Sequence, residues 1–532
     1  MPKNRKALRR IAGILLVVIL ILVVDQIWLR VWRIVPAGYD TTRLTRPLEK
    51  DGQVNYLAAM NQQSSIGVTR ANNAVPLLIK AAGPQFFPLT LHAIPIIMSR
   101  LGMRPFGPHS AGLIRFSNWT NRQPTGGKTA SESQNWALET RLQMRPWTGH
   151  AYPNARGWIK ANNRALTLIF RAAKRPRYYI PLVSPDGGLV DCAGPDEVAM
   201  DSLTHLAAAS AMLELGQGNT LAALRQARAV FSLGELLFQS PDTIRYLIAM
   251  TIESSAMNLD QAIATSSRIS VPQLQALGRY LSHLPPIPLL TGPLNDARYD
   301  VLNELEQANR FGPATFFDGH HPTPLRTLQA MFLPIDYAGL MHDTNQLFDA
   351  EITAVHVHPF PAQITRLAAA EARFSAYSGN DKIQLTGTIS EPRLGITGGS
   401  AWSRWSNTLL RPLAVFISSQ RPRATDIAML RETALTVRQL TVVTVALALY
   451  RKEHGQFPVE LSALVPIYLP ALPNNLFTRQ PLNYRTNAHQ HGFLLYSLRP
   501  DVVRGHINMH DIHALRIKVT GGNWSAAGAR KS

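Results

Sequence analysis

Residues Ile11 to Val24 read IAGILLVVILILVV, fourteen apolar residues in succession without a charge. As a helix rising 1.5 Å per residue, this run spans about 21 Å, short of a hydrocarbon core of roughly 30 Å. Continuing it through Asp25, Gln26, Ile27 and Trp28 to Leu29 closes most of the gap. Asp25 then falls near the far interface, and Trp28 and Trp32 at headgroup level. A cleaved signal peptide would show small residues at a cleavage site, whereas VVDQIWLRVWR follows here, so the reading is an uncleaved anchor over 11–29. Lys3, Arg5, Lys6, Arg9 and Arg10 precede it and keep residues 1–10 in the cytoplasm. The expectation is a single-pass protein of a bacterial inner membrane, with almost all of its mass extracytoplasmic. The next most apolar stretch, Leu440 to Leu449, is too short to span and reads as a helix of a folded domain.

The 532 residues exceed one ordinary core and predict two to four domains. With 46% hydrophobic and 17% charged residues, the chain can bury those cores and is not of the disordered class. A single cysteine, Cys192, excludes internal disulfides and multi-cysteine metal sites and reads as a small buried apolar residue. The formal charge is +20, five of it in the N-terminal tail. The rest is scattered rather than clustered with aromatics, which suits anionic envelope material and speaks against nucleic acid.

From residue 30 to 400, apolar residues at helical spacing alternate with proline and glycine, predicting an irregular stack of α-hairpins. The clearest unit, Asp196 to Thr265, reads as three helices. Gly216, Gly218 and Asn219 make the first turn, and Ser240 and Pro241 supply the cap and first position of the third helix. Further helices are predicted near Val54–Gln62, Asn73–Ala82, Pro153–Ala173, Val271–His283, Leu325–Val355 and Pro361–Ala376. Long loops are predicted at Phe106–Gly127 and Ile383–Ser400. No repeat of fixed period supports a regular solenoid. Residues 401–520 read as a C-terminal α+β module, and 521–532 as a flexible tail. The module has a long helix over 425–453, capped by Asp426 and stopped at His454-Gly455, then strands PLNYRT and GFLLYSL joined by NAHQH.

Within that module, ALALYRKEHGQFP, YLPALPNNLF, LNYRT and FLLYSLRPD resemble the soluble domain of type II secretion pseudopilins. The same tail closes many large membrane-anchored bacterial proteins of uncharacterised function. Their outer regions are similar to VNYLAAMNQQSSIGVTRANNAVPLLIKAAGP and RPRYYIPLVSPDGG here. The resemblance covers about 90 of the 532 residues and implies a helix packed on a small sheet. It also implies a calcium loop at positions matching Asp501 and Asp511. Arg504 and His506, His510 and His513 stand where a hard cation needs oxygen donors, so the expectation is that calcium binding is lost. The processing signal of prepilins is absent from the N-terminus.

Candidate chemistry is sparse. Asp201 and His205, four apart, share a helical face, and Glu253 lies inside the apolar run YLIAMTIESSAM. Together they could form an acid/base set, or else structural ion pairs, Glu253 with Arg245 or Arg225. His506, His510 and His513 would line one face of a helix as metal ligands, although the resemblance puts them in a loop. His356 and His358, and His320-His321, read as chance pairs. RPRYYIPLVSPDGG, with Arg175, Arg177, Tyr178, Tyr179 and Asp186, suits a polar pocket or an aromatic turn equally. No nucleotide, metalloprotease, hydrolase-elbow or kinase motif is present and no cofactor is implied. The leading expectation is a non-enzymatic interaction or scaffold protein of the envelope. An envelope hydrolase with its site in the helical region comes second, and an accessory part of a secretion or pilus-like apparatus third.

Overall fold

The computed structural model describes residues 35–87, 93–107, 112–122, 131–184, 196–311, 337–378, 423–487, 491–503, 506–520 and 523–528, with isolated positions between them. The expected anchor lies outside these residues except at Gly13, Val17 and Leu20, which are helical. Asp186, His320-His321 and the expected loop Ile383–Ser400 also lie outside them.

Among the described residues the protein is mainly helical, with a small antiparallel sheet near its C-terminus. The helices are α1 (Tyr56–Ser64), α2 (Val75–Ala82), α3 (Ile94–Arg100), α4 (Phe116–Asn121), α5 (Glu132–Met144), α6 (Pro153–Ala161), α7 (Asn163–Ala172) and α8 (Glu197–Gln217). There follow α9 (Thr220–Leu237), α10 (Thr243–Ala264), α11 (Val271–Ser282), α12 (Thr291–Phe311), α13 (Tyr337–Val355), α14 (Phe360–Ser378) and α15 (Ala424–His454).

Local chemistry explains most boundaries. Gly218, with φ of 92°, takes the left-handed turn that ends α8, and Gly455 does the same for α15. Ser270 and Gln273 form a reciprocal capping box that starts α11. The third helix of the central unit begins later than Ser240-Pro241 suggests, because the Asp242 side chain accepts from Arg245 N at 2.7 Å. The single helix expected over Pro153–Ala173 is broken at Asn162. There the side chain spends its hydrogen bonds on Ile114 N and O and on Trp158 O, in competition with the helix. The segment Phe106–Gly127, expected as loop, contains α4.

Two hydrophobic cores result. The first gathers α2, α5 to α9, the C-terminal half of α10, α11 and Leu440 to Ala448 of α15 against sheet residues Leu495, Ile517 and Val519. The second gathers α1, Tyr246 and Met250 of α10, α12 to α14, and Ala424 to Ala434 of α15. Helices α10 and α15 thus pass through both. Each fully buried side chain such as Leu447 or Leu302 contributes about 1.5–3 kcal/mol.

Helix α15 is long and apolar enough to cross a membrane, with a mean hydropathy of 1.4, yet more than half of that apolar window is buried in the protein. Its interior threonines are not stranded. Thr433, Thr436, Thr441 and Thr444 each donate to the carbonyl four residues back. Asp426 does not cap it. Glu371 of α14 does, accepting from Thr425 N at 2.8 Å and from the Thr425 hydroxyl.

The sheet has order β1-β2-β3-β4, all antiparallel: β1 (Asn483–Thr486), β2 (Phe493–Val503), β3 (His506–Thr520) and β4 (Asn523–Gly528). The expected hairpin is β1–β2, in register Tyr484↔Leu495. Part of the stretch expected as flexible tail is strand β4, paired Thr520↔Asn523 to Leu515↔Gly528.

Candidate functional site

The densest polar chemistry surrounds the N-terminal end of α8. Asp196, fully buried, accepts from Arg245 Nε at 3.1 Å and Nη2 at 2.8 Å, and from the Tyr178 hydroxyl. Arg245 also reaches Ser240 Oγ at 3.3 Å and lies 4.0 Å from Asp242. Facing this pair, Asp296 and Asp300 stand one turn apart on α12 and are only partly exposed. Burial first, then the charge of Asp242, pushes Asp296 up to about 7, against the lowering pull of Arg245 and a Thr243 backbone hydrogen bond. Burial and the neighbouring Asp296, Asp242 and Glu304 push Asp300 well above the carboxylate range. The result is a hollow lined by crowded carboxyl groups, some of them holding protons at neutral pH, beside an ion-paired aspartate. Such an arrangement can donate a proton or accept a cationic group.

The outer side of α8 carries two of the residues singled out from the sequence. His205 Nε2 lies 3.2 Å from Asp201 Oδ1, and His205 Nδ1 lies 3.6 Å from Glu139 Oε1 on α5. Burial pulls this imidazole down, but the hydrogen bonds and charges of Asp201 and Glu139 outweigh it and hold it up at about 9. It is therefore an imidazolium clip between two helices at neutral pH, not a base. Two turns beyond Glu139, Trp147 N donates to Met212 O at 3.3 Å, so α5 and α8 run in the same direction. Trp136, one turn before Glu139, is level with Asp201 and Val198. It is 68% exposed, Val198 is exposed too, and Glu132, Glu139 and Asp201 surround them with negative charge.

Glu253 joins neither group. It is paired with Arg438 of α15, not with Arg245 or Arg225 as expected. No hydrogen bond or ion pair among the described residues links it to Asp201 or His205, so the acid/base set considered from sequence is not assembled.

The RPRYY segment is an extended strap. Asn73 bonds Tyr179 N and O, Arg175 donates to Arg70 O and Asn73 O, and Gln239 holds Pro176 O and Tyr178 N. Its one deep polar group is the Tyr178 hydroxyl on Asp196. Cys192, expected to be buried, is partly exposed, with its thiol 3.4 Å from Gly188 O.

The C-terminal histidines are neither on a helix nor in a loop. His506, His510 and His513 lie along β3, with His506 opposite Val503 and His513 opposite Arg499. Asp501 is in β2 and Asp511 in β3, so paired strands occupy the positions that a calcium loop would need. His356 lies just past α13, 3.5 Å from Thr291 Oγ1, and His358 precedes Pro359 in the turn before α14. Among the described residues no three His, Cys, Asp or Glu side chains are arranged to hold a metal ion.

The sequence reading missed Asp242, Asp296 and Asp300. A signal existed: Leu294, Leu302, Leu305 and Ala308 repeat at helical spacing, and Asp296 and Asp300 are four apart within that pattern. No family model, curated protein or solved structure matches the chain.

Proposed function

We propose that the chain is a membrane-anchored extracytoplasmic protein that docks a partner protein on the face shared by α5 and α8. The observation that carries this reading is Trp136, 68% exposed at the centre of that face beside exposed Val198. An exposed indole on a rigid helix offers large contact area at low entropic cost and is a typical anchor of protein interfaces. The rim of Glu132, Glu139 and Asp201 calls for a partner segment whose apolar anchor is flanked by basic residues. The anchor over 11–29 and its basic tail would hold the body at the membrane, where the strongly positive remainder favours anionic surroundings.

The test is affinity capture from gently solubilised membranes with the full chain and with Trp136→Ser. A stoichiometric partner that is lost with Trp136→Ser is expected. Recovery of the same partner by both chains, or of the chain alone, overturns the reading.

The crowding of Asp242, Asp296 and Asp300 favours a second reading, an envelope hydrolase with Asp296 as proton donor. Turnover of an ester, amide or glycoside panel that disappears in Asp296→Asn, with the helical signal intact, would support it. A secretion-apparatus role keeps only the long helix and following hairpin as support.

A further inference from the structure

Between the two cores, where α10 and α15 cross from one to the other, the packing is interrupted by charge. Arg228 and Glu235 enter from α9, Glu253 and Asp260 from α10, Tyr280 from α11 and Arg438 from α15. Arg438 donates through Nε to Glu253 and through Nη1 to Pro285 O, and its guanidinium lies 5.5 Å from the Phe231 ring. Its Nη2 lies 3.7 Å from Glu235 Oε1, too far for a hydrogen bond. Arg228 stacks 4.8 Å over Tyr280 and is exposed. No charged side chain of α8, which packs on another side of α10, is bonded to these groups among the described residues.

Three carboxyl groups thus share one well-placed cation. Glu253 is 1% exposed and Asp260 2%. One oxygen of each carboxyl, namely Glu235 Oε1, Glu253 Oε2 and Asp260 Oδ1, is buried without a hydrogen-bond partner. With all three ionised, the seam holds two negative charges that Arg438 does not neutralise, in a place that water hardly reaches. With two of them protonated, the Arg438–Glu253 pair is left balanced, and each acid carries only the desolvation of a neutral group.

We infer that this seam is a pH-operated latch, closed in acid by the neutral acids and the Arg438–Glu253 pair, and loosened by rising pH so that α15 separates from α9 and α10. Burial pushes Glu235 and Asp260 up to about 7, Arg438 and Arg228 only partly offsetting it, and Glu253 is raised for the same reason. A carboxyl whose folded value exceeds its unfolded one binds a proton in the folded state over the interval between them. Stability contributed there is full near the unfolded value and falls as pH rises through the folded one. The sign is opposite to that of an ordinary surface carboxylate ion pair.

The test is hydrogen exchange of the full chain in detergent, reading amides of Val442 to Leu447 at pH 5 and pH 8 after correction for intrinsic exchange. Protection about tenfold lower at pH 8 is expected, and Glu235→Gln with Asp260→Asn should abolish most of that difference by raising protection at pH 8. Asp260→Asn alone, with half the effect, serves if the double variant does not fold. Equal protection of the native chain at both pH values overturns the latch. So does an undiminished difference in the amide variants, which would move the pH dependence elsewhere.

Discussion

Arg438 and Glu253 lie 185 residues apart in the chain, and their side chains meet between α15 and α10. Removing the cation alone strands a carboxylate that is 1% exposed. Arg438→Ala should therefore cost about 3–5 kcal/mol at pH 8 by urea unfolding, while Arg438→Met with Glu253→Met recovers most of it. The loss should shrink at pH 5, because burial raises the Glu253 pKa and the stranded group takes up a proton. A loss independent of pH would mean that packing against Phe231, not charge, is what Arg438 supplies.

His205 carries the opposite pH signature to the seam. Its folded pKa of about 9 lies above the 6.5 of a free imidazole. The stabilisation is fully present below pH 6.5 and lost as pH rises through 9. His205→Gln should lower the melting temperature at pH 6 and leave it unchanged at pH 10. Thermal melts of the two chains at both values decide this.

Two glycines should respond in opposite directions. A Cβ on Gly216 would stand 1.9 Å from Trp147 O, a backbone atom fixed by the α5–α8 contact, so Gly216→Ala should prevent stable folding. At Gly278, within α11, the nearest atom is Val445 Cγ1 at 3.7 Å. Gly278→Ala should stabilise by about 0.5–1 kcal/mol through the entropy of the unfolded chain. Chemical denaturation midpoints measure both.

The cap of α15 can be tested the same way. Glu371→Ala should cost about 1 kcal/mol, and Glu371→Gln less, since an amide oxygen can still accept from Thr425. Equal losses would show that charge, not hydrogen bonding, anchors this end.

Helices were legible wherever apolar spacing and punctuation agreed. The unit from Asp196 to Thr265 has three helices as expected, and α11 ends within a residue of its predicted limit. What failed is instructive. Asn162 splits a continuous helical pattern by bonding Ile114, a partner 48 residues away that periodicity cannot show. Asp426 looked like a cap because aspartate commonly is one, but tertiary contact gave that role to Glu371. The candidate site was harder still. Asp201 and His205 were recognised as neighbours from spacing alone, whereas Glu139 came from another helix. The Asp196–Arg245 pair and the facing Asp296 are joined only by folding.

The passage of α10 and α15 through both cores has a consequence for synthesis. Neither core can close until residue 448 has emerged, because Leu440 to Ala448 complete the first and Ala424 to Ala434 the second. A chain exported through a membrane N-terminus first would expose the unfinished apolar faces of α8 to α14 for most of its transit. It would depend on a holding chaperone on the far side, and a nascent chain stalled before α15 would be a substrate for quality-control proteases rather than a folded half.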